Sequence, residues 1–229
     1  MPRRARIVLP GVAAHVIQRG NNRQACFYCD DDYLFYLHHL EEQAVKHGCT
    51  VHAYCLMTNH VHLLLTPETK TSISQLMKGL GQRYVQYVNR TYQRSGTLWE
   101  GRFRSCFASE DNYVLACYRY IELNPVRAKL VEHPAEYRWS SYRFNAQSEA
   151  SRLLTPHQLF ESLGISDDER KARYRDLFRN NLEPGMVEQI RSATNGNYAL
   201  GSEKFKTQVA EALGRRVSKC AGGRKPMEA

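Results

Sequence analysis

Residues 54–65 read YCLMTNHVHLLL, and the rest of the chain is organised around this stretch. Two short apolar runs, residues 51–57 and 60–66, flank the polar pair Thr58-Asn59. Such runs on either side of a polar break are typical of two strands joined by a tight turn. We therefore predict an antiparallel hairpin whose second strand carries both His60 and His62.

His60 and His62 stand two residues apart in the second predicted strand. Side chains alternate between the faces of a strand, so both imidazoles should project from one face, with alpha carbons about 6.6 Å apart. Two neighbouring imidazoles on a stiff strand can form two corners of a metal site. The alternative is a pair of unrelated, half-buried histidines, and only a third ligand elsewhere distinguishes the two interpretations.

The hydrophobic pattern on both sides of the hairpin predicts further elements. Strands are predicted at residues 11–19 and 98–107, and helices at residues 30–47, 71–94 and 110–124, followed by a short helical piece at 126–131. Ser109 is the predicted cap of the third long helix. The order β-α-β-β-α-β-α is that of the split βαβ, ferredoxin-like fold. We therefore predict an α+β domain with a ferredoxin-like antiparallel sheet and helices on one face.

Composition and cysteine content exclude several classes of protein. Of the 229 residues, 42% are hydrophobic, which is enough for a sizeable core. No apolar stretch is long enough to span a membrane, and the N-terminus, MPRRARIVLPG, lacks the apolar segment of a signal peptide. We therefore expect a cytoplasmic protein with no membrane partner. The seven cysteines are an odd number, so we expect reduced thiols, and the single CxxC pair, Cys26 and Cys29, is weak evidence for zinc.

The formal net charge of +9 and the pI of about 9.3 suggest a polyanionic partner. The charge is concentrated between residues 70 and 107, where Glu100 is the one acid and the basic residues are Lys70, Lys78, Arg83, Arg90, Arg94, Arg102 and Arg104. Tyrosines and a tryptophan are interleaved with them, and aromatic faces stack on unpaired bases. We therefore favour nucleic acid over a merely solvated basic surface. A membrane surface fits less well, because no basic amphipathic helix with a large apolar face stands out.

A change in character near Trp139 divides the chain into two predicted parts, residues 1–145 and a small helical extension at 146–229. Residues 140–151 are polar and predicted to be a loop, residues 156–163, 167–180, 184–193 and 202–213 to be helices, and residues 221–229 to be a flexible tail. Basic residues near the end of the extension are Arg215, Arg216, Lys219, Arg224 and Lys225. The extension either adds a second nucleic-acid contact or packs as a cover, and the sequence favours neither.

The loop after the first predicted strand reads GNNR, residues 20–23. Asparagine tolerates turn geometries. Arg23 offers the side chain best suited to bidentate contact with a phosphate or a guanine edge. Taken alone, the loop is an ordinary turn.

Tyr120 and Asn124 lie one turn apart on the same face of the third long helix. In a ferredoxin-like fold this helix crosses the sheet near the histidine strand, so a phenol, an amide and two imidazoles can converge. Such a set suits phosphodiester transfer by a tyrosine beside a metal ion. Tyr118 should point away from that face, and Tyr113 lies too far from Asn124 to share a phosphate with it. The alternatives are a packed core tyrosine and an asparagine that caps the segment opened by Pro125.

Four ordered motifs resemble those of a known family: GNNR at residues 20–23, TNHVHLLL at 58–65, LWEGRFRS at 98–105 and YIELNPVRA at 120–128. Together they resemble the single-tyrosine HUH transposases, and most closely the REP-associated tyrosine transposases, over about residues 8–145. The segment LLTPHQLF at 153–160 and the helices after it are similar to a common extension in that family. The family more often has proline where this chain has Thr58, a difference that removes no ligand.

The resemblance implies roles for individual residues. His60, His62 and Asn124 would bind the divalent ion, and Tyr120 would be the nucleophile. The GNNR loop would help to read bases beside a DNA hairpin. Together with the charge pattern, this gives the residues expected to contact DNA: Asn21, Asn22, Arg23, Arg83, Arg90, Arg102 and Arg104. Either Mg²⁺ or Mn²⁺ should support the reaction, since oxygen ligands suit the first and imidazoles the second.

We therefore predict a metal-dependent endonuclease and strand transferase of single-stranded or hairpin DNA from repetitive palindromic elements. Tyr120 would form a 5′-phosphotyrosine, the polarity that the resemblance implies. The first alternative is a non-catalytic protein that binds repeat hairpins without cutting them. The second is a zinc hydrolase using the same histidines, ranked last because no glutamate base stands beside them. A monomer is slightly favoured over a homodimer.

Overall fold

The computed structural model describes residues 6–108, 111–180 and 182–218 of the chain. Within these residues five strands form one sheet in the spatial order β2-β3-β1-β4-β5. Strands β1 (Ala14–Arg19), β2 (Cys49–Met57), β3 (His60–Pro67) and β4 (Arg104–Ala108) pair antiparallel. Their order is that of the ferredoxin-like fold, so the predicted α+β class is confirmed. Strand β5 (Ala199–Leu200), from the C-terminal extension, pairs parallel to β4 and makes that edge mixed.

The helices of the described residues have these bounds: α1 Asp30–Lys46, α2 Ser72–Thr91, α3 Asp111–Glu122, α4 Asn124–Arg127, α5 Tyr142–Gln147, α6 Gln158–Glu161, α7 Asp167–Asp176, α8 Pro184–Gly196 and α9 Glu203–Leu213. The long helices agree with the predicted positions to within a few residues. The short helix α4 begins earlier than predicted, because Pro125 fits its first turn, where a backbone N–H is not needed. The predicted cap Ser109 and the basic residues and tail from position 219 onward lie outside the described residues.

The prediction of a loop over residues 140–151 is wrong for its central part, where helix α5 forms. Tyr142, Asn145 and Ala146 are buried on this helix. Asn145 Nδ2 donates to the Glu122 carboxylate at 2.7 Å. Polar residues that make interior hydrogen bonds leave no hydrophobic periodicity, so the pattern does not reveal this helix.

Helices cover both faces of the sheet, whereas the sequence pattern predicts them on one. Helices α1 and α2 pack on the face that carries Val61, together with Val209 of α9. Helices α3, α6, α7 and α8 contribute to the core on the opposite face. Leu63, Leu64 and Leu65 on β3 are all fully buried. Because successive side chains alternate between faces, three consecutive buried leucines require cover on both sides.

The segment predicted to be one strand over residues 98–107 divides into two parts. Only Arg104–Ala108 joins the sheet, as β4. The part before it bonds to the end of β1 and to the GNNR loop: the Glu100 amide donates to the Arg19 carbonyl, and the Asn21 amide donates to the Leu98 carbonyl, both at 2.8 Å. Gly101, with φ of 91°, supplies the left-handed backbone that separates the two parts.

Glu122 at the end of α3 is a buried anchor for the extension. Its carboxylate accepts hydrogen bonds from Ser141 at 2.5 Å, from Asn145 at 2.7 Å and from the Tyr174 hydroxyl at 2.6 Å. Burial raises the pKa of Glu122 to about 7, although these three donors favour the charged form. The helix that carries Tyr120 is therefore fixed to α5 and α7 by one polar cluster.

His52 on β2 makes a second link between the sheet and the extension. Its Nδ1 lies 2.8 Å from the Thr155 carbonyl oxygen, and its Nε2 lies 2.8 Å from the Thr66 hydroxyl. A carbonyl only accepts, so Nδ1 carries a proton, and in the neutral ring Nε2 accepts from the Thr66 hydroxyl. Burial, with a smaller contribution from His157, lowers the pKa of His52 to about 4.

This depressed pKa predicts an acid-sensitive contribution to stability. The contribution is complete above the unfolded-state pKa of about 6.5 and is lost as the pH falls through the folded-state value of about 4, because the unfolded chain binds the proton more readily. Over that window, the free energy of unfolding should fall by about 3 kcal/mol more in the wild type than in His52→Gln. Urea titrations between pH 7 and pH 4 measure this difference.

The described helices include none with both the length and the apolar character needed to cross a membrane. The cytoplasmic location stays a prediction. Each described cysteine is a free thiol. In the CxxC pair, the Cys26 thiol donates to the Thr58 carbonyl at 3.4 Å and the Cys29 sulfur lies 3.3 Å from the Tyr92 hydroxyl. The two thiols therefore contact different protein groups.

Candidate active site

A cavity of about 440 Å³ lies between one face of the sheet, the α3–α4 junction and helix α8. It brings together the four residues predicted for catalysis and metal binding. Side chains from four separate parts of the chain line it: His15, Ile17, Arg19, Met57, His60, His62, Tyr120, Asn124, Arg127, Arg191, Thr194 and Asn195. None of these residues carries a carboxylate.

His60 and His62 project from the same face of β3, as the alternation predicts, and their ring centroids are 5.0 Å apart. His60 Nδ1 lies 2.6 Å from Asn59 Oδ1. The Asn59 amide is oriented by its other end, because Nδ2 donates to the Arg23 carbonyl at 3.0 Å. His60 Nδ1 must therefore be the donor, and its Nε2 keeps a lone pair. The turn residue thus prepares His60 as a possible metal ligand.

His15 on β1 is a site residue that the sequence interpretation missed. Its ring stacks on His62 with centroids 5.0 Å apart, and its Nε2 lies 2.8 Å from His62 Nδ1. The sequence does contain a clue to this residue, because the alternation of side chains along β1 places His15 on the face that also carries Ile17 and Arg19. The register Ile17↔His62, which sets that face beside the histidine pair, requires the tertiary structure.

Burial keeps all three imidazoles of the cavity neutral. It lowers the pKa of His15 to about 3 and that of His60 to about 4, and it holds the pKa of His62 well below its ordinary value. Neighbouring positive charges, including Arg127, act in the same direction. A neutral imidazole is the form that binds metal ions.

Tyr120 is 7% exposed and faces the histidines. Its ring centroid lies 5.7 Å from that of His62 and 5.5 Å from that of His15. The guanidinium carbon of Arg127 lies 4.3 Å from the Tyr120 ring centroid, and the same guanidinium donates to the Tyr120 carbonyl. Tyr118 points away, as predicted, into the core beside the extension, where its hydroxyl accepts from the His157 amide at 3.2 Å.

Asn124 begins α4 instead of ending α3, and its side chain still lines the cavity. The alternative role as a helix cap is not supported, because Leu123 is the cap residue and no side chain makes a capping bond. A hydrogen bond with Asn124 favours protonated His60, so the two side chains are within reach of each other. Asn124 Nδ2 is buried without a partner.

The donor set fits a divalent ion. It consists of two neutral imidazoles whose Nδ1 atoms are already engaged, together with the side-chain amide of Asn124, whose nitrogen is buried without a partner. Imidazole nitrogen combined with amide oxygen suits Mn²⁺, and a hydrated Mg²⁺ also accepts such oxygen ligands. His60, His62 and Asn124 are therefore the residues that would hold the ion.

A separate group of potential ligands, His38, His39 and Glu42, lies on the outer surface of α1. His39 Nδ1 is 2.7 Å and His38 Nε2 is 3.5 Å from the Glu42 carboxylate oxygens. These contacts have the spacing of helical ion pairs and lie apart from the Tyr120 cavity.

An arginine-lined cleft of about 250 Å³ adjoins the cavity and shares Arg19, Ile17 and Asn195 with it. Arg23, Arg102 and Arg104, three of the predicted DNA contacts, line the cleft beside Glu100. Asn22 and Arg23 adopt left-handed backbone with φ of 51° and 59°, which asparagine tolerates well. Asn21 and Asn22 belong to the same short helical turn.

Arg83 and Arg90 are not part of this cleft. Both lie on α2, and Arg83 lines a different depression with residues of α1, including Glu42. Three further cavity residues, Arg191, Thr194 and Asn195, come from α8 in the extension and were not predicted. No sequence motif indicates that they belong to the site, because the pattern of α8 is that of an ordinary helix.

Comparison with solved structures gives matches at low sequence identity. The structure of a REP-associated tyrosine transposase bound to a REP hairpin is 16% identical, with a TM-score of 0.56, and the match covers 69% of this chain and 93% of that one. A putative transposase from Deinococcus radiodurans R1 is 18% identical, with a TM-score of 0.37, over 59% of this chain and 98% of that one. No curated protein matches the sequence.

The family model described as "Transposase IS200 like" matches residues 9–124, just over half of the chain. The matched range contains both histidines of β3, Tyr120 and Asn124, and it ends before the extension. The chain belongs to the IS200-like transposase family.

Proposed function

We propose that this DNA transposase is a metal-dependent endonuclease and strand transferase of single-stranded or hairpin DNA, with Tyr120 as its nucleophile. One observation carries the proposal: Tyr120 faces His62 across a cavity that His60 and Asn124 also line. A phenol beside two imidazoles and an amide has the parts required for phosphodiester transfer. Family membership supports the transposase class independently.

Tyr120 Oη would attack the scissile phosphorus and form a tyrosine–phosphorus bond. The bond from phosphorus to the 3′-oxygen would break, the phenol would release its proton, and the 3′-oxygen would take up a proton. The products would be a 5′-phosphotyrosine and a free 3′-hydroxyl. Attack by another 3′-hydroxyl would reverse these steps and rejoin the strand, so no external energy source is needed.

The residues around Tyr120 would supply the electrostatics of this reaction. Mg²⁺ or Mn²⁺ held by His60, His62 and Asn124 would withdraw charge from the phosphate. Arg127, whose guanidinium lies over the Tyr120 ring, would stabilise negative charge as the phenol loses its proton. Arg19 and Arg191, which also line the cavity, add further positive charge.

The arginine-lined cleft would hold the DNA next to the scissile phosphate. It contains four arginines and one acid and is continuous with the cavity of Tyr120. Arginine contacts to phosphate supply most of the affinity for DNA. The neighbour solved with a REP hairpin supports a hairpin partner from repetitive palindromic elements. A cytoplasmic monomer is the form we expect to act.

The direct test is incubation of the full-length protein and Mn²⁺ with single-stranded hairpin oligonucleotides from its own genome. We expect a cut strand and a protein–DNA product that survives denaturing electrophoresis. Binding without either product would favour the alternative, a non-catalytic hairpin-binding protein. The zinc hydrolase alternative lacks a base, because no described residue lining the cavity is a carboxylate.

Arg23 should contribute to base choice. Arg23→Ala should reduce discrimination between hairpins with altered flanking bases by about 5- to 100-fold, because base-edge contacts of arginine carry sequence information. Competition binding with oligonucleotides changed at single flanking positions measures this ratio.

Arg83→Ala and Arg90→Ala are the matched comparisons, since both residues lie on α2 outside the cleft. Each should weaken binding equally for all hairpins and lower the slope of log affinity against log salt concentration by about 1. If Arg23→Ala changes neither affinity nor base preference, the GNNR loop is only a turn.

A further inference from the structure

A buried chain of hydrogen bonds runs from the catalytic cavity into helix α8. His62 Nδ1 lies 2.8 Å from His15 Nε2, and His15 Nδ1 lies 3.0 Å from the Thr194 hydroxyl oxygen. That hydroxyl lies 2.7 Å from the carbonyl oxygen of Ile190, one turn earlier in α8. His62, His15 and Thr194 are 2%, 1% and 3% exposed, so water does not compete for these bonds.

The direction of each bond follows from the last member of the chain. A carbonyl only accepts, so the Thr194 hydroxyl donates its one proton to Ile190. The Thr194 oxygen must then accept from His15 Nδ1, and the Cys106 thiol at 3.1 Å can donate to it as well. Neutral His15 is left with an unprotonated Nε2, which accepts from His62 Nδ1. His62 therefore carries its proton on Nδ1 and keeps a lone pair on Nε2.

The bond between His15 and Thr194 decides the tautomer of His62. If the His15 proton lay on Nε2 instead of Nδ1, it would be donated to His62 Nδ1, and the His62 proton would then lie on Nε2. The hydrogen bond from His15 Nδ1 to Thr194 is therefore necessary for the free lone pair on His62.

We propose that Thr194 and His15 are positioning residues that hold His62 in the tautomer whose Nε2 can bind a metal ion. The inference rests on the proposed function in one respect, namely that His62 is a metal ligand. Hydrogen bonds to the second nitrogen of a ligand histidine fix its tautomer and orientation, and their loss typically reduces metal affinity about 10- to 100-fold. His60 has its own partner in Asn59, so the two histidines are held independently.

Thr194 lies beyond residues 9–124, the range that matches the family model. The proposal therefore makes the C-terminal extension a functional part of the active site, and not only a cover for the sheet. Helix α8 reaches the site because it packs against β4 and lies beside β1, the strand that carries His15.

Thr194→Val and Thr194→Ser form a matched pair for testing this proposal. Valine has nearly the shape of threonine and lacks the hydroxyl, whereas serine keeps it. In Thr194→Val, His15 Nδ1 loses its acceptor, the His15 proton can move to Nε2, and the His62 proton is then driven to its own Nε2. Mn²⁺ affinity of the full-length protein without DNA, measured by electron paramagnetic resonance titration, should fall about 10- to 100-fold, and Thr194→Ser should keep the wild-type affinity.

A second measurement needs no variant. Proton–nitrogen spectra of the histidine rings in the metal-free wild type should show His62 and His15 protonated on Nδ1 and unprotonated on Nε2. A wild-type His62 protonated on Nε2 would overturn the proposal, and so would Thr194→Val binding Mn²⁺ as tightly as the wild type. Failure of the proposed function would be seen separately, as a wild type that neither binds Mn²⁺ nor cuts hairpins.

Discussion

Tyr120→Phe should eliminate both DNA cleavage and the covalent protein–DNA product. The change removes only the phenol oxygen, and the rest of the ring still packs between Arg127 and the histidines. Without the proposed nucleophile, the strand-cutting rate should fall by more than about a thousandfold. Folding and hairpin affinity should stay near wild type. Within the described residues, no hydrogen bond that holds the fold involves the Tyr120 hydroxyl.

Tyr118→Phe is the matched control, since it removes the same atom two residues earlier on α3. The Tyr118 hydroxyl accepts from the His157 amide in the core, away from the cavity. This variant should lose some stability, about 1 kcal/mol for one buried hydrogen bond, and keep full cleavage activity. Denaturing gels of both variants with a labelled hairpin decide the question. A covalent band that persists in Tyr120→Phe and disappears in Tyr118→Phe would show that Tyr118, and not Tyr120, is the nucleophile.

His62→Ala should abolish cleavage and largely spare hairpin binding. His62 offers a free nitrogen to the cavity, whereas DNA affinity is expected to come from arginine contacts in the neighbouring cleft. The variant should therefore lose Mn²⁺ affinity and cleavage but still bind the hairpin in a gel-shift assay. A similar separation is expected when EDTA is added to the wild type.

His38→Ala provides the control for this experiment, because His38 is an exposed histidine on α1 outside the cavity. It should leave cleavage unchanged. Thermal unfolding of each variant shows whether the buried substitution at His62 has disturbed the fold. Cleavage by the wild type that continues in EDTA would contradict a metal role for His60 and His62.

The sequence alone determined the hairpin and the faces of its side chains. Thr58-Asn59 is the turn, Met57 pairs with His60, and Cys55 pairs with His62. These relations are local, because strand alternation and turn chemistry act over a few residues. The spacing of Tyr120 and Asn124 could also be predicted from the sequence, although Asn124 belongs to the next short helix, α4, whose first turn contains Pro125.

The tertiary structure decided which distant groups meet these side chains. His15 lies 47 residues before His62, and Thr194 lies 179 residues after His15, yet the three form one chain of hydrogen bonds. Periodicity assigns a residue to a face, but it does not identify the strand or helix that will lie opposite that face. Helix α5 was missed for a related reason, since Asn145 is buried by its bond to Glu122 and not by hydrophobicity. The pairing of buried polar groups depends on the packed fold, because each group needs a partner that only the fold brings within reach.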